Sequence, residues 1–197
     1  MPLRFVRSFL LAGAFLPAAA PAQAAFHLWD IKEVYSNADG SMQYIELQAF
    51  GAFETVLTGA QIEAISDGVS RTFSFPTGNL MGDTTNRHLL IASPGFASLV
   101  GAVTPDYSLP SGPFFDLGTT SITINLTHPF FGPVDSITFA GASLPINGRD
   151  SLTDTTINTP ATTLVAGQSS PTNFSGSVGA LPLDLIFSDG FEADGPS

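Results

Sequence analysis

Along most of the chain, apolar and polar residues alternate one for one. In "QYIELQA", Ile45, Leu47 and Ala49 point one way while Tyr44, Glu46 and Gln48 point the other. "SITINL" sets Ile122, Ile124 and Leu126 against Ser121, Thr123 and Asn125. "VSRTFSF" places Val69, Arg71, Phe73 and Phe75 opposite Ser70, Thr72 and Ser74, and "VDSITFA" repeats the pattern with Ile137 and Phe139. Alternation over such short runs predicts antiparallel strands with one face buried. "HLLIA", His88 to Ala92, is continuously apolar and reads as a central strand covered on both faces. "PGFASLVG", Pro94 to Gly101, is the only helix-like piece, two turns at most.

Turn residues punctuate these runs. Asn37-Ala38-Asp39-Gly40 separates the first two strands, and Asp67-Gly68 separates "AQIEAI" from "VSRTFSF". Asp-Gly is a hairpin signal because glycine takes up positive φ at little steric cost. Thr104 to Gly118 is rich in Pro and Gly and reads as a long loop over the sheet, plugged by Phe114 and Phe115. About seven short strands with frequent turns predict an all-β, immunoglobulin-like antiparallel β-sandwich with at most one short helix.

Composition then adds compartment. "MPLRFVRSFLLAGAFLPAAAPAQA" has two cations, Arg4 and Arg7, an apolar run from Phe9 to Leu16, and a small-x-small ending at Ala22-Gln23-Ala24. That is the three-part form of a secretory leader, cleaved after Ala24. The apolar run is shorter than the roughly 20 residues of a membrane span, so no stable span is expected after cleavage. The Ala-rich style looks bacterial. Setting the leader aside leaves 173 residues, with four basic side chains against 17 acidic ones. This balance excludes nucleic acid and anionic lipid as partners, since both need cations opposite them. It fits a protein exported to the periplasm, the cell surface or the medium. Cysteine is absent, so there is no disulfide framework, thiolate metal site or cysteine nucleophile. Stability must come from the core, and the phenylalanines, 14 of the chain's 17 lying outside the leader, supply much of it.

Chain organisation follows from these shifts. Residues 1–24 form the leader and 25–155 the sandwich. Residues 156–182, rich in Thr, Ser, Gly and Pro, read as a flexible or extended linker. Residues 183–197 form a short acidic-aromatic tail.

The candidate chemistry centres on "EVYSNADGSMQYIEL". A hairpin about Asn37–Gly40 places Glu33 either directly opposite Glu46 or on its diagonal, and like charges so placed cost stability unless something offsets them. Three readings compete: a structural or solvated pair, a calcium site using Glu33, Asp39 and Glu46, and an acid pair of the glycosidase kind. The spaced loop of an EF-hand is missing. His27, His88 and His128 have no metal-ligand spacing, and neither a Gly-x-Ser-x-Gly elbow nor a phosphate-binding glycine loop occurs. The one tryptophan, Trp29, with Tyr107 and Phe115, is what a carbohydrate-binding face would use. No cofactor is implied.

"DIKEVYSNADGSMQYIEL", followed in order by "LTGAQIEAI", "FSFPTG" and "RHLLIASP", resembles a bacterial lamin-tail domain over about Phe26 to Thr155. Departures are Ile62 where the family carries Trp and Lys32 where it often carries Asn. The resemblance implies an immunoglobulin-like sandwich acting as a non-catalytic interaction or structural module, with an unidentified protein or surface polymer as partner. A secreted hydrolase and a carbohydrate-binding module are the alternatives. The tail, with Ile186, Phe187, Asp189, Gly190, Phe191 and Glu192, resembles an ending found on exported proteins of some gammaproteobacteria and reads as a docking tag or a terminal edge strand.

Overall fold

The computed structural model describes residues 25–159 and 162–181. The expected leader at 1–24 and the tail residues Ile186, Phe187, Asp189, Gly190, Phe191 and Glu192 lie outside them. Ten strands, one α-helical turn and a 3-10 turn (Gly141–Ser143) are formed: β1 (Trp29–Ser36), β2 (Gln43–Ala49), β3 (Gln61–Ser66), β4 (Val69–Ser74), β5 (His88–Ala92), α1 (Pro94–Ala97), β6 (Tyr107–Ser108), β7 (Ser121–His128), β8 (Gly132–Ala140), β9 (Asp150–Asp154) and β10 (Leu164–Gln168). They make a six-stranded sheet, ordered β10-β9-β1-β2-β5-β6, and a four-stranded sheet, ordered β4-β3-β7-β8. All pairings are antiparallel except β5 with β6.

The alternating residues fill the space between the sheets. Trp29, Ile31, Val34, Ile45, Leu47, Leu89 and Ile91 from one sheet meet Ile62, Phe73, Ile122, Ile124, Leu126, Ile137 and Phe139 from the other, all buried. Each such side chain stabilises the fold by roughly 1.5–3 kcal/mol. The expected loop plugs are in place: Phe114 and Phe115 are buried in this core. Both faces of β5 are covered, because Leu90 and Ala92 join Tyr35, Tyr44, Phe96, Val103 and Leu181 in a second cluster on the outer side of the six-stranded sheet. The Asp67-Gly68 hairpin has φ of 45° and 88° at its two residues, the doubly positive pattern that matches strand twist.

One irregularity sets the phase of everything above it. Between Ile31 and Glu33 the β1–β2 register slips by a residue, so Lys32 is unpaired in a β-bulge. The bulge lets both Ile31 and Val34 face the core although an odd number of steps separates them. It also sets Glu33 on the outer face, directly across from Glu46. Lys32 Nζ donates to the carbonyl of Asp154, and Ile31 N–H donates to Asp135 Oδ2 on β8 at 2.7 Å, which ties the two sheets together at the bulge.

Three strands lie beyond the local pattern. β6 and β9 are short, and β10 falls inside the stretch 156–182 expected as a linker. That expectation is corrected over the described residues: Leu164–Gln168 pairs along its whole length with β9, and the residues after it fold back over the sheet. The segment is ordered despite its polar composition because its backbone N–H groups find acceptors on the sheet beneath.

Candidate functional site

Glu33 on β1 and Glu46 on β2 are register partners on the outer face. Neither points into solvent: their exposures are 1% and 2%. The cover is the segment 169–181, which leaves the β10 edge and passes over β1 and β2 towards Asp106. Its backbone is held at every second residue. Ser170 N–H donates to Glu33 Oε1 at 3.0 Å, Thr172 N–H to Glu46 Oε2 at 2.6 Å, and Phe174 N–H to Asp106 Oδ2 at 2.9 Å. A carboxylate is suited to this task because it accepts several hydrogen bonds at once and binds N–H groups more strongly than a neutral acceptor does.

Each carboxylate is also held from below. Glu33 Oε1 accepts the Tyr44 hydroxyl at 2.6 Å and the Ser151 hydroxyl at 2.5 Å, while Oε2 accepts Ser170 Oγ at 3.3 Å. Glu46 Oε1 lies 2.6 Å from Nδ1 of His88, two residues along β5 from its own register partner Leu90. Asp106 accepts Leu90 N–H at 2.9 Å. Beyond the third anchor, Asn173 Nδ2 donates to the carbonyl of Thr104, Arg87 lies over the Phe174 ring at 6.0 Å, and Leu181 enters the outer apolar cluster.

The electrostatics follow from burial without a lysine or arginine at the pair. The four cationic side chains of the described residues are engaged elsewhere: Lys32 on the Asp154 carbonyl, Arg71 on Asp116, Arg149 on Asp150 and Arg87 on Phe174. Burial pushes the Glu46 carboxyl up to about 7, with His88 opposing and the Glu33 charge reinforcing the rise. Burial likewise raises Asp106 against its two backbone hydrogen bonds. The Tyr44 hydroxyl is pushed well above its ordinary value by burial and then by the charge of Glu33, so it stays a donor.

Asp39, the third residue of the calcium reading, is not brought to the pair. It sits exposed on the hairpin turn, where its Oδ1 accepts both N–H and Oγ of Ser41, and these bonds hold its carboxyl below the usual range. Among the described residues no group of three or more His, Asp or Glu side chains is arranged to hold a metal ion. An open cleft of about 390 Å³ borders the same turn, lined by Tyr35, Asn37, Asp39, Met42, Ile146 and Asn147, but neither Glu33 nor Glu46 reaches it. The aromatics of the sugar-binding reading are spent on the core. Trp29 and Phe115 are buried, Trp29 Nε1 donates to the Glu54 carbonyl, and Tyr107 packs edge-on against Phe75. His27, His88 and His128 do not converge in a metal-holding group.

A different set of aromatics is exposed at one end of the sandwich. The β7–β8 turn carries Phe130, 85% exposed, and Phe131, 41% exposed; Phe53, in the loop after β2, is 57% exposed. Residues 25–27 join them, since Ala25 N–H donates to the Phe53 carbonyl and the His27 ring lies 5.8 Å from that of Phe131. Phe53 holds φ at 64°, a conformation rare for a bulky residue. Glu54 beside it is buried and accepts N–H from both His27 and Leu28, so it adds no exposed charge to this end. In the sequence, "THPFFGP" breaks the strand alternation, and that break was the available signal.

No protein-family model matches the chain, and no curated protein matches it.

Proposed function

We propose that this chain is an exported, non-catalytic interaction or structural module, an immunoglobulin-like sandwich of the lamin-tail kind. The observation that carries the reading is the aromatic end. Phe53, Phe130 and Phe131 present much of their surface to solvent, with only His27 and His128 against the rings of the β7–β8 turn, and Phe53 is held at positive φ. Strain kept at an exposed aromatic points to use by a partner. Aromatic side chains are also the residues that anchor protein interfaces most often. The partner is a protein or a surface polymer.

The hydrolase reading has no comparable support. Glu33 and Glu46 would need to be free of the strap and open to a substrate, whereas their oxygens are occupied and covered. The order of motifs from "DIKEVY" to "RHLLIASP" and the two-sheet architecture both fit the lamin-tail reading.

The test is a pull-down from the cells that make the protein, using the intact chain, Phe130→Ser and a chain ending at Asp184. Loss of a defined partner with Phe130→Ser alone supports the aromatic end. Loss only with the shortened chain assigns docking to the tail. Equal capture by all three sinks both.

A further inference from the structure

We propose that the segment 169–181 is a proton-controlled strap, which closes over the six-stranded sheet in acid and releases as Glu46 ionises beside Glu33. This goes beyond the interaction reading and does not depend on it.

The geometry carries the inference. Two carboxylates stand directly opposed in register, buried to within 2% of their surface, with no lysine or arginine among their hydrogen-bond partners. The groups facing Glu46 are few. From β1 comes Glu33, from β2 Tyr44, and from β5 His88; the strap itself offers only the N–H of Thr172. β9 contributes the Ser151 hydroxyl to Glu33. Asp106 and Arg87 act at the far end of the strap, on Phe174. Closing the strap over one proton on the pair leaves a single buried carboxylate charge; closing it over none leaves two, fixed face to face by the hairpin register, with His88 on Glu46 alone to offset them.

The strap is also the element best placed to yield. It is held chiefly by N–H groups at Ser170, Thr172 and Phe174 on three carboxylates, whereas β1 and β2 are locked by a full ladder. Lifting it admits water to both carboxylates without breaking the sheet. The sign follows from linkage. The closed state raises the Glu46 carboxyl to about 7. Closure is therefore favoured fully below the ordinary value of 4.5 and loses that support as pH rises through 7. The opening equilibrium shifts by up to about a hundredfold across that window.

Residue-resolved amide hydrogen exchange on the described chain with its tail, corrected for intrinsic rates, tests this between pH 5.5 and 8.5. Protection at Ser170, Thr172 and Phe174 is expected to fall at least tenfold as pH rises, while Ile124 in β7 is unmoved. Glu46→Gln, which keeps an acceptor for Thr172 and removes the charge, is expected to hold the strap at both ends of the range. Constant protection in the parent chain overturns the proposal, as does a fall shared equally by β7 or an undiminished fall in Glu46→Gln. Carbon-13 observation of the Glu46 carboxyl in the parent chain needs no variant: a midpoint near 7 supports the strap, and one near 4.5 overturns it.

Discussion

Gln43 is fully buried at the start of β2, and both polar atoms of its amide are used. Oε1 accepts the N–H of Phe114 at 2.6 Å, and Nε2 donates to the Phe115 carbonyl at 2.8 Å and to Ser36 Oγ at 3.3 Å. It thus fastens the long 104–118 loop at the point where that loop plugs the core. Gln43→Ala strands those backbone groups in an apolar setting and is expected to cost about 2–4 kcal/mol, read as a lower denaturation midpoint in urea. Tyr44→Phe removes one donor from Glu33 and is expected to cost about 1–3 kcal/mol by the same measurement. Glu46→Gln should do the reverse at pH 8, stabilising the chain by about 1–2 kcal/mol, with the gain vanishing by pH 5. The alternation of "QYIELQA" foretold that Glu46 faces away from Ile45 and Leu47, and hairpin counting left Glu33 either opposite it or on its diagonal; the fold selects the opposed register. That the pair is covered was not legible, because its cover comes from more than 120 residues away, in a stretch whose composition carries no apolar signal.

At the level of elements, strands with a hairpin partner or a continuous apolar run, such as β5, were readable, and the short strands β6, β9 and β10 were not. β3 and β4 announce themselves through Asp67-Gly68. β9, "DSLTD", and β10, "LVAGQ", are too short and too mixed to stand out, and become strands because β1 offers β9 its second edge. The bulge at Lys32 was equally hidden, since it shows only when two strands are laid side by side. Deleting Lys32 forces either Ile31 or Val34 out of the core and separates Glu33 from Glu46. The expected result is loss of cooperative thermal unfolding and of near-ultraviolet dichroism. Thr172→Pro removes the N–H that Glu46 accepts while leaving the ladders intact. It is expected to cost about 1–3 kcal/mol and to raise exchange across 170–174 without affecting β7.

For the whole molecule, the acidity has a structural use beyond solubility. Ten of the thirteen carboxylate side chains among the described residues accept a backbone N–H, on loops, turns, the bulge and the strap. Eight of the thirteen divide by direction of shift. Asp39, Asp67, Asp83 and Asp150 are held low by hydrogen bonds, so their support is present above about 4 and is lost as pH falls. Asp30, Glu46, Asp106 and Asp135 are raised by burial, so their support is present in acid and is lost as pH rises, for Glu46 through about 7. Opposing slopes predict a stability maximum at about pH 4–6, below neutrality, to be measured as urea midpoints from pH 3 to 9. A midpoint that climbs steadily to pH 9 contradicts this balance.

The pairing of β1 with β9 also dictates an order of events. β1 gains its hairpin partner within a few residues, but its other edge waits for Leu152 and Thr153, and the carboxylates on its outer face wait longer still, for Ser170. A chain delivered amino-terminus first, whether from a ribosome or through a translocation pore, therefore cannot close its larger sheet until nearly the whole of it has emerged. Loop closure over such separations is slow. The first strand out is among the last to be completed.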